Sequence, residues 1–197
     1  ITFTACTICT PKSAAGKRFF KIILGLLIVL VLVLSDQISK QAAVEHLKNS
    51  ADLILIPGVL QLHYLENTGA AFSLLEGNMT LFYITTPILT LLLAYLYLRT
   101  PVRKRYLPLL AVYLFLVAGA LGNLIDRILY RYVIDFIYFS LIDFPVFNVA
   151  DIYVTCSIVV LFLLILFYFK DMDELTDLYR PGRRAREEER ENGSKKD

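Results

Sequence analysis

The sequence predicts a mainly α membrane protein: four transmembrane helices carrying a small extracytoplasmic β-sheet. Three observations predict it. The 197 residues are 57% hydrophobic and only 19% charged, with mean hydropathy +0.60, more apolar than an ordinary soluble domain of this length. Four apolar stretches approach the roughly 20 residues a helix needs to cross a hydrocarbon core. Lys and Arg gather at alternate ends of those stretches, as the positive-inside rule requires. The competing reading is a soluble helical protein with a large core, and the net charge of +2 offers nothing to a nucleic-acid partner.

The first span runs from about Phe19 to Leu34 and continues into Ser35-Asp36, with Lys17, Arg18 and Lys21 at its start. Basic residues before an apolar run also describe a secretory signal peptide. Leu34-Ser35-Asp36-Gln37 offers no small-x-small cleavage pattern, which favours an uncleaved helix. Residues 1–18 form an N-terminal cytoplasmic segment, and since the chain opens on Ile rather than Met this need not be the native start. Residues about 45–78 follow as an extracytoplasmic sheet. There Leu53-Ile54-Leu55-Ile56 and Val59 to Leu65 are strand-like runs broken by Pro57-Gly58 and by Asn67-Thr68-Gly69. The second span, about Met79 to Leu98, contains Pro87, which a membrane helix tolerates when neighbours satisfy the freed carbonyl. The third covers about Tyr106 to Leu124. A loop of about 125–148 then holds a further strand-like run, Tyr132 to Phe139. The fourth span, about Val149 to Phe169, stops at Lys170 and closes a membrane domain of residues 19–170. Residues 171–197 are too polar and charged to support a core, and read as a disordered cytoplasmic tail whose arginines touch anionic lipid heads.

Orientation follows from the charges. Arg99, Arg103, Lys104 and Arg105 lie between spans two and three, and Lys12, Lys17, Arg18 and Lys21 precede or open span one. Both groups belong in the cytoplasm, which places Arg180, Arg183, Arg184 and Arg186 of the tail there too. Arg127 and Arg131 break the rule in the outward loop, so a local task explains them better than topology.

Two carboxylates carry the functional argument. Asp135, in Val133-Ile134-Asp135-Phe136, and Asp151, in Phe147-Asn148-Val149-Ala150-Asp151, sit at the edges of apolar segments, where an ionised carboxylate is costly and usually functional. Together they suggest a membrane-bound aspartic protease. Alone, Asp151 is equally a carboxylate favoured by a helix N-terminus. Asp36 and Lys40 are four apart, as are Asn123 and Arg127, so each pair shares a helix face. Asn67 stands in a turn-forming Asn-Thr-Gly, and Asn148 just precedes the fourth helix. Asp126 reads either as the partner of a nearby arginine or as a catalytic group. His46 and His63 are the only histidines, there is no His-Glu-x-x-His and no Gly-x-Ser-x-Gly, so neither metal nor cofactor is expected. Cys6-x-x-Cys9 lacks the second pair a zinc site needs, Cys156 reads as a packing residue, and no disulfide is expected. Ala118 and Gly122 make a small-xxx-small pair for close helix approach.

Five blocks of this chain resemble, in order, those of the lipoprotein signal peptidases (signal peptidase II), bacterial inner-membrane aspartyl proteases. They are Asp36-Gln37-Ile38-Ser39-Lys40, Glu66-Asn67-Thr68-Gly69-Ala70-Ala71-Phe72-Ser73, Ala118-Gly119-Ala120-Leu121-Gly122-Asn123-Leu124-Ile125-Asp126-Arg127, and the two blocks holding Asp135 and Asp151. The resemblance covers nearly all of residues 19–170. It implies a catalytic dyad of Asp135 and Asp151 that shares one proton and activates water. It implies supporting or substrate-binding roles for Asp36, Lys40, Asn67, Asn123, Arg127 and Asn148, and an extracytoplasmic sheet forming a cradle with a loop beside the site. The implied substrate is a diacylglyceryl-modified prolipoprotein cut before its lipidated cysteine, with membrane lipids as surroundings and the cyclic peptide globomycin as inhibitor. A monomer in the bacterial cytoplasmic (inner) membrane is implied, with both termini cytoplasmic and the site at the outer face. Two departures stand out: Ala118 replaces a common glycine, and Ile152-Tyr153 replace small residues after the second aspartate, which alters the pocket on that side or sets Tyr153 at the interface. The alternative is a non-catalytic membrane scaffold or an ion- or proton-coupled transporter subunit using the same aspartates.

Overall fold

The computed structural model describes residues 12–69, 79–169 and 179. Cys6 and Cys9, Ala70 to Ser73 of the second block, and the tail other than Tyr179 lie outside the described residues. In chain order the elements are α1 (Lys12–Leu47), β1 (Leu53–Ile56), β2 (Leu60–Asn67), α2 (Met79–Arg99), α3 (Leu107–Tyr130), β3 (Val133–Tyr138) and α4 (Val149–Leu163). A π-helical turn, Leu164–Tyr168, prolongs α4, and short 3-10 turns precede α3 and follow β3.

All four expected spans are helices long and apolar enough to cross a membrane. Their outer surfaces are apolar: Leu26 is 62% exposed, Leu91 70% and Phe162 60%. A belt of that size belongs in lipid, because water would penalise it and hydrocarbon does not. Half of the most apolar stretch of α3 is enclosed by protein against 6% for α2, so α3 is the central helix.

Two helices outrun their expected apolar spans, as the shared helix faces of Asp36 with Lys40 and of Asn123 with Arg127 require. α1 continues from Leu34 to Leu47 because helical spacing persists beyond the apolar run: Asp36, Lys40, Ala43 and Leu47 are all buried on one side. Ala43 and Leu47 pack with Ile134 and Phe136, so the far end of α1 supports the sheet. α3 runs to Tyr130, past the expected Leu124. It stops where Arg131 turns left-handed (φ 67°) and donates its backbone N–H to the Arg127 carbonyl.

Lipid supplies no hydrophobic force between helices, so close approach depends on small residues. A Cβ on Gly122 would stand 2.6 Å from Asp36 Oδ2, and one on Gly119 2.6 Å from the Ala150 carbonyl. The expected pair was Ala118 and Gly122. Ala118 is fully buried, but it is Gly119 that brings α4 against α3. At the other end of the bundle, Lys21 of α1 donates to the carbonyls of Tyr97 and Thr100, satisfying the last turn of α2. Tyr97 returns a bond to the Lys21 carbonyl at 2.9 Å.

The sheet is antiparallel in the order β1-β2-β3. Leu65 of β2 pairs with Asp135 of β3, and a register shift lies between Leu62 and Leu65. Leu62 and Tyr64 face the end of α1, while His63, Leu65 and Asn67 face a cleft between the sheet and α4.

Candidate active site

Each aspartate is delivered by a different kind of element. Asp135 sits in the middle of β3, 1% exposed, between strand residues that bury its neighbours Ile134 and Phe136. Asp151 is the third residue of α4. Asn148 caps that helix, its side chain accepting the Asp151 N–H at 3.0 Å while Asp151 Oδ2 accepts the Asn148 N–H at 3.2 Å. This reciprocal capping box holds the Asp151 carboxylate at the helix start. The capping and active-site readings of Asp151 are therefore one geometry.

Three asparagine amides hold the pair, and two of them, Asn148 and Asn123, link its members. Asn148 Nδ2 donates to Asp135 Oδ1 at 2.6 Å and to Asn123 Oδ1 at 3.1 Å. Asn123 Nδ2 donates to Asp151 Oδ1 at 2.8 Å, and Asn67 Nδ2 to Asp135 Oδ2 at 2.8 Å. All four carboxylate oxygens thus have a donor. Asn67 also accepts the Gly69 N–H at 3.0 Å, so its turn and its contact with Asp135 coexist.

Behind this chain lies a buried ammonium. Lys40, 1% exposed, donates at 2.9 Å to each of Asp36 Oδ2, Asp126 Oδ2 and Asn123 Oδ1, which uses its three protons. Asp36 Oδ1 in turn accepts the Ala150 N–H at 2.9 Å, and Asp126 Oδ2 the Ile134 N–H at 3.2 Å. The residues before Asp151 and before Asp135 are therefore both tied to one side chain of α1. Asp126, for which an arginine partner or a catalytic task was expected, pairs with Lys40 instead, because its burial needs a cation that can follow it. Gln37 had no expected role, yet its amide bridges Asp36, Asp126 and the Gly122 carbonyl. Its place four residues before Gln41 on a helix carries no signal. Only its position between Asp36 and Lys40 in the first block hinted at it.

Arg127 lines the cleft. It donates to the Asn123 carbonyl at 3.1 Å and lies over the Phe82 ring at 4.2 Å. Its Nε is enclosed with no partner among the described residues. Tyr153 faces away from the cleft, its hydroxyl 2.7 Å from Ser35 Oγ and its ring edge-on to Phe115.

Burial pushes the Asp135 carboxyl up to about 7; the amides of Asn67 and Asn148 and the charge of Lys40 oppose the shift, and the charge of Asp151 adds to it. A carboxyl poised there can hold a proton at neutral pH while its neighbour is ionised. The cleft has a volume of about 910 Å³ and runs in two directions from the aspartates. Along α4 it is lined by Ile152, Thr155 and Cys156; along the sheet it ends at Asp52, His63, Tyr138 and Asp143. Among the described residues no three His, Cys, Asp or Glu side chains are grouped to hold a metal ion. The arrangement is suited to acid–base chemistry on a bond lying across the two carboxyls.

Comparison with known proteins shows the family. The model of the signal peptidase (SPase) II family matches residues 28–167. The lipoprotein signal peptidase of Latilactobacillus sakei is 42% identical over 145 residues, 74% of this chain and 92% of its own. That of Enterococcus faecalis is 39% identical over 137 residues, 70% of this chain and 84% of its own. A solved structure described as a bacterial membrane enzyme at 2.3 Å resolution matches with TM-score 0.66 and 34% identity, covering 74% of this chain and 88% of that one.

Proposed function

This chain belongs to the signal peptidase II family, and from that membership we propose that it is the membrane aspartic endopeptidase that processes lipoprotein precursors. It removes the signal peptide from diacylglyceryl-modified prolipoproteins, cutting before the lipid-modified cysteine. The observation that carries the reading is the linkage of Asp135 and Asp151 through Asn148 and Asn123 in one cleft at the end of a membrane bundle. Relatives named as peptidases leave the scaffold and transporter alternative without support.

In this mechanism the dyad titrates as a unit carrying one proton. Asp151, held at the start of α4 by two donors, takes a proton from water as the oxygen attacks the scissile carbonyl. Asp135 gives its proton to the carbonyl oxygen. The tetrahedral intermediate collapses when its C–N bond breaks: the amine leaves with the proton that Asp151 took from water, a hydroxyl of the intermediate returns its proton to Asp135 as the product carboxyl forms, and the pair is back in its starting state. Asn67, Asn123 and Asn148 hold the carboxyls for both transfers, Asp36 and Lys40 hold the segments that carry them, and Arg127 lines the cleft beside the substrate backbone.

The peptidase domain is residues 19–170, a monomer, flanked by the segment 1–18 and the tail 171–197. Positive charges on the α2–α3 connection and near the start of α1 support a bacterial cytoplasmic membrane protein with both termini cytoplasmic and the cleft at the outer face. The signal helix stays in lipid beside α4, whose cleft residues are mostly apolar, while the scissile bond reaches the aspartates. A cyclic peptide such as globomycin would occupy the same cleft. The test is product mass from a synthetic lipidated precursor with purified protein. Asp135→Asn and Asp151→Asn should each lower the rate by at least roughly 10²–10⁴-fold, the scale of general acid–base catalysis; a normal rate in either overturns the proposal.

A further inference from the structure

The sheet end of the cleft carries four polar side chains that the mechanism does not use. His63 Nδ1 lies 2.7 Å from Asp52 Oδ1, and Gln61 Nε2 donates to Asp52 Oδ2 at 3.3 Å. On the neighbouring strand the Tyr138 hydroxyl donates to Asp143 Oδ1, and the His63 and Tyr138 rings stand 6.2 Å apart. Asp52, His63, Tyr138 and Asp143 all line the same cleft as the dyad. Each aspartate side chain is exposed enough to meet a passing chain, and each keeps acceptor capacity beyond the bond it already makes.

Their place along the sheet fixes which part of a substrate they meet. Leu65 is paired with Asp135, and His63 is two residues away on the same face of β2, about 7 Å at the rise of a strand. That is two residues of an extended peptide measured from the aspartates. It lies on the side away from α4, whose cleft residues Ile152, Thr155 and Cys156 descend into the bundle. A precursor whose apolar signal helix lies along α4 must therefore send the residues after its cleaved bond across this rim.

We propose that Asp52, His63, Tyr138 and Asp143 form a subsite for the first residues following the lipid-modified cysteine, and that it favours basic or hydrogen-bond-donating side chains over acidic ones. The inference rests on the peptidase reading above. Two carboxylates against one imidazole leave the rim with acceptors to spare. An exposed ion pair has a modest, salt-screened effect. One or two of them give a preference of about three- to tenfold at low ionic strength.

The experiment uses the purified full chain in detergent and three lipidated precursor peptides that differ only at the first two residues after the cysteine: Lys-Lys, Ser-Ser and Glu-Glu. The expected order of kcat/KM is Lys-Lys, then Ser-Ser, then Glu-Glu, with the spread carried by KM. The spread should collapse in high salt with the unaltered protein, and at low salt in the Asp52→Asn/Asp143→Asn double variant. Each protein is its own reference, so a variant of lower overall activity still reports the ratio. Equal kcat/KM for Lys-Lys and Glu-Glu, with Ser-Ser cleaved, overturns this inference alone. Failure to cleave any of the three overturns the peptidase reading and this inference with it.

Discussion

Replacing Lys40 by methionine keeps the length and apolar stem of the side chain and removes only its charge and donors. The structure makes the loss calculable in outline. Asp36 and Asp126, both 0% exposed, each lose a 2.9 Å ammonium contact, and Asn123 Oδ1 loses another. Breaking one buried pair costs about 3–5 kcal/mol. The backbone N–H groups of Ala150 and Ile134 and the Gln37 amide remain as donors to the two carboxylates, so the total stays near that range rather than twice it. At roughly 2–4 °C per kcal/mol for a chain of this size, the melting temperature in detergent should fall by about 6–20 °C. Activity should suffer more than melting implies, because the tethers preceding Asp151 and Asp135 both slacken, and a misplacement of about 1 Å at reacting groups costs roughly 10²-fold. Adding Asp36→Asn and Asp126→Asn to Lys40→Met removes the stranded charges and should recover part of the stability without recovering the rate. Thermal unfolding and peptide turnover measured on the same preparations decide it. A Lys40→Met protein that melts within about 2 °C of the original and turns over at its rate would show that the ammonium is not the tie described.

Asn67→Ala should move the alkaline limb of the pH–rate profile upward by about one unit: its amide stabilises the ionised form of Asp135, a charge-assisted bond of about 1.5–3 kcal/mol is partly replaced by water, and one unit is about 1.4 kcal/mol. The required proton on Asp135 then survives to higher pH, so a limb that stays put or moves down counts against Asp135 as the donor. Gly119→Ala should cost about 1–3 kcal/mol and most of the activity, since its methyl would meet the Ala150 carbonyl at 2.6 Å and that backbone cannot yield without moving Asp151. Gly16→Ala, with nothing within 4 Å, is the neutral control in the same melting and turnover assays. Single cysteines placed near Arg103 and near Asn67 should be labelled by impermeant reagents from opposite sides of the membrane; labelling from one side would refute the four-span orientation.

The four spans and the strands were readable because lipid imposes long apolar runs and β-favouring residues alternate with turns, so Met79 to Leu98 and Tyr132 to Phe139 fall close to α2 and β3. Helix ends were less readable. Leu34 ends the apolar run, but α1 continues because its later residues are buried by protein rather than by lipid, which hydropathy cannot register. At the candidate site, the short spacing of Asn148 and Asp151 announces a capping box, while the contact of Asn148 with Asp135 depends on how α4 meets the sheet. The partner of Asp126 was misjudged for the same reason: Lys40 is 86 residues earlier and reaches it only once α1 packs on α3. Asp52 and Asp143 carry no local pattern at all, and only the closing of the sheet over the cleft puts them on one rim.

Helices in lipid have little to stop them sliding past one another, since one leucine against another is no better than leucine against a lipid tail. α1 is held against sliding at two heights, by Lys21 on the last carbonyls of α2 and by Lys40 on the carboxylates of its own helix and α3. A slip of one turn, about 5.4 Å, would strand charge at both heights at once. The bundle is therefore a fixed ruler across the bilayer. A cleft carried on such a ruler keeps a fixed height relative to the far end of the bundle.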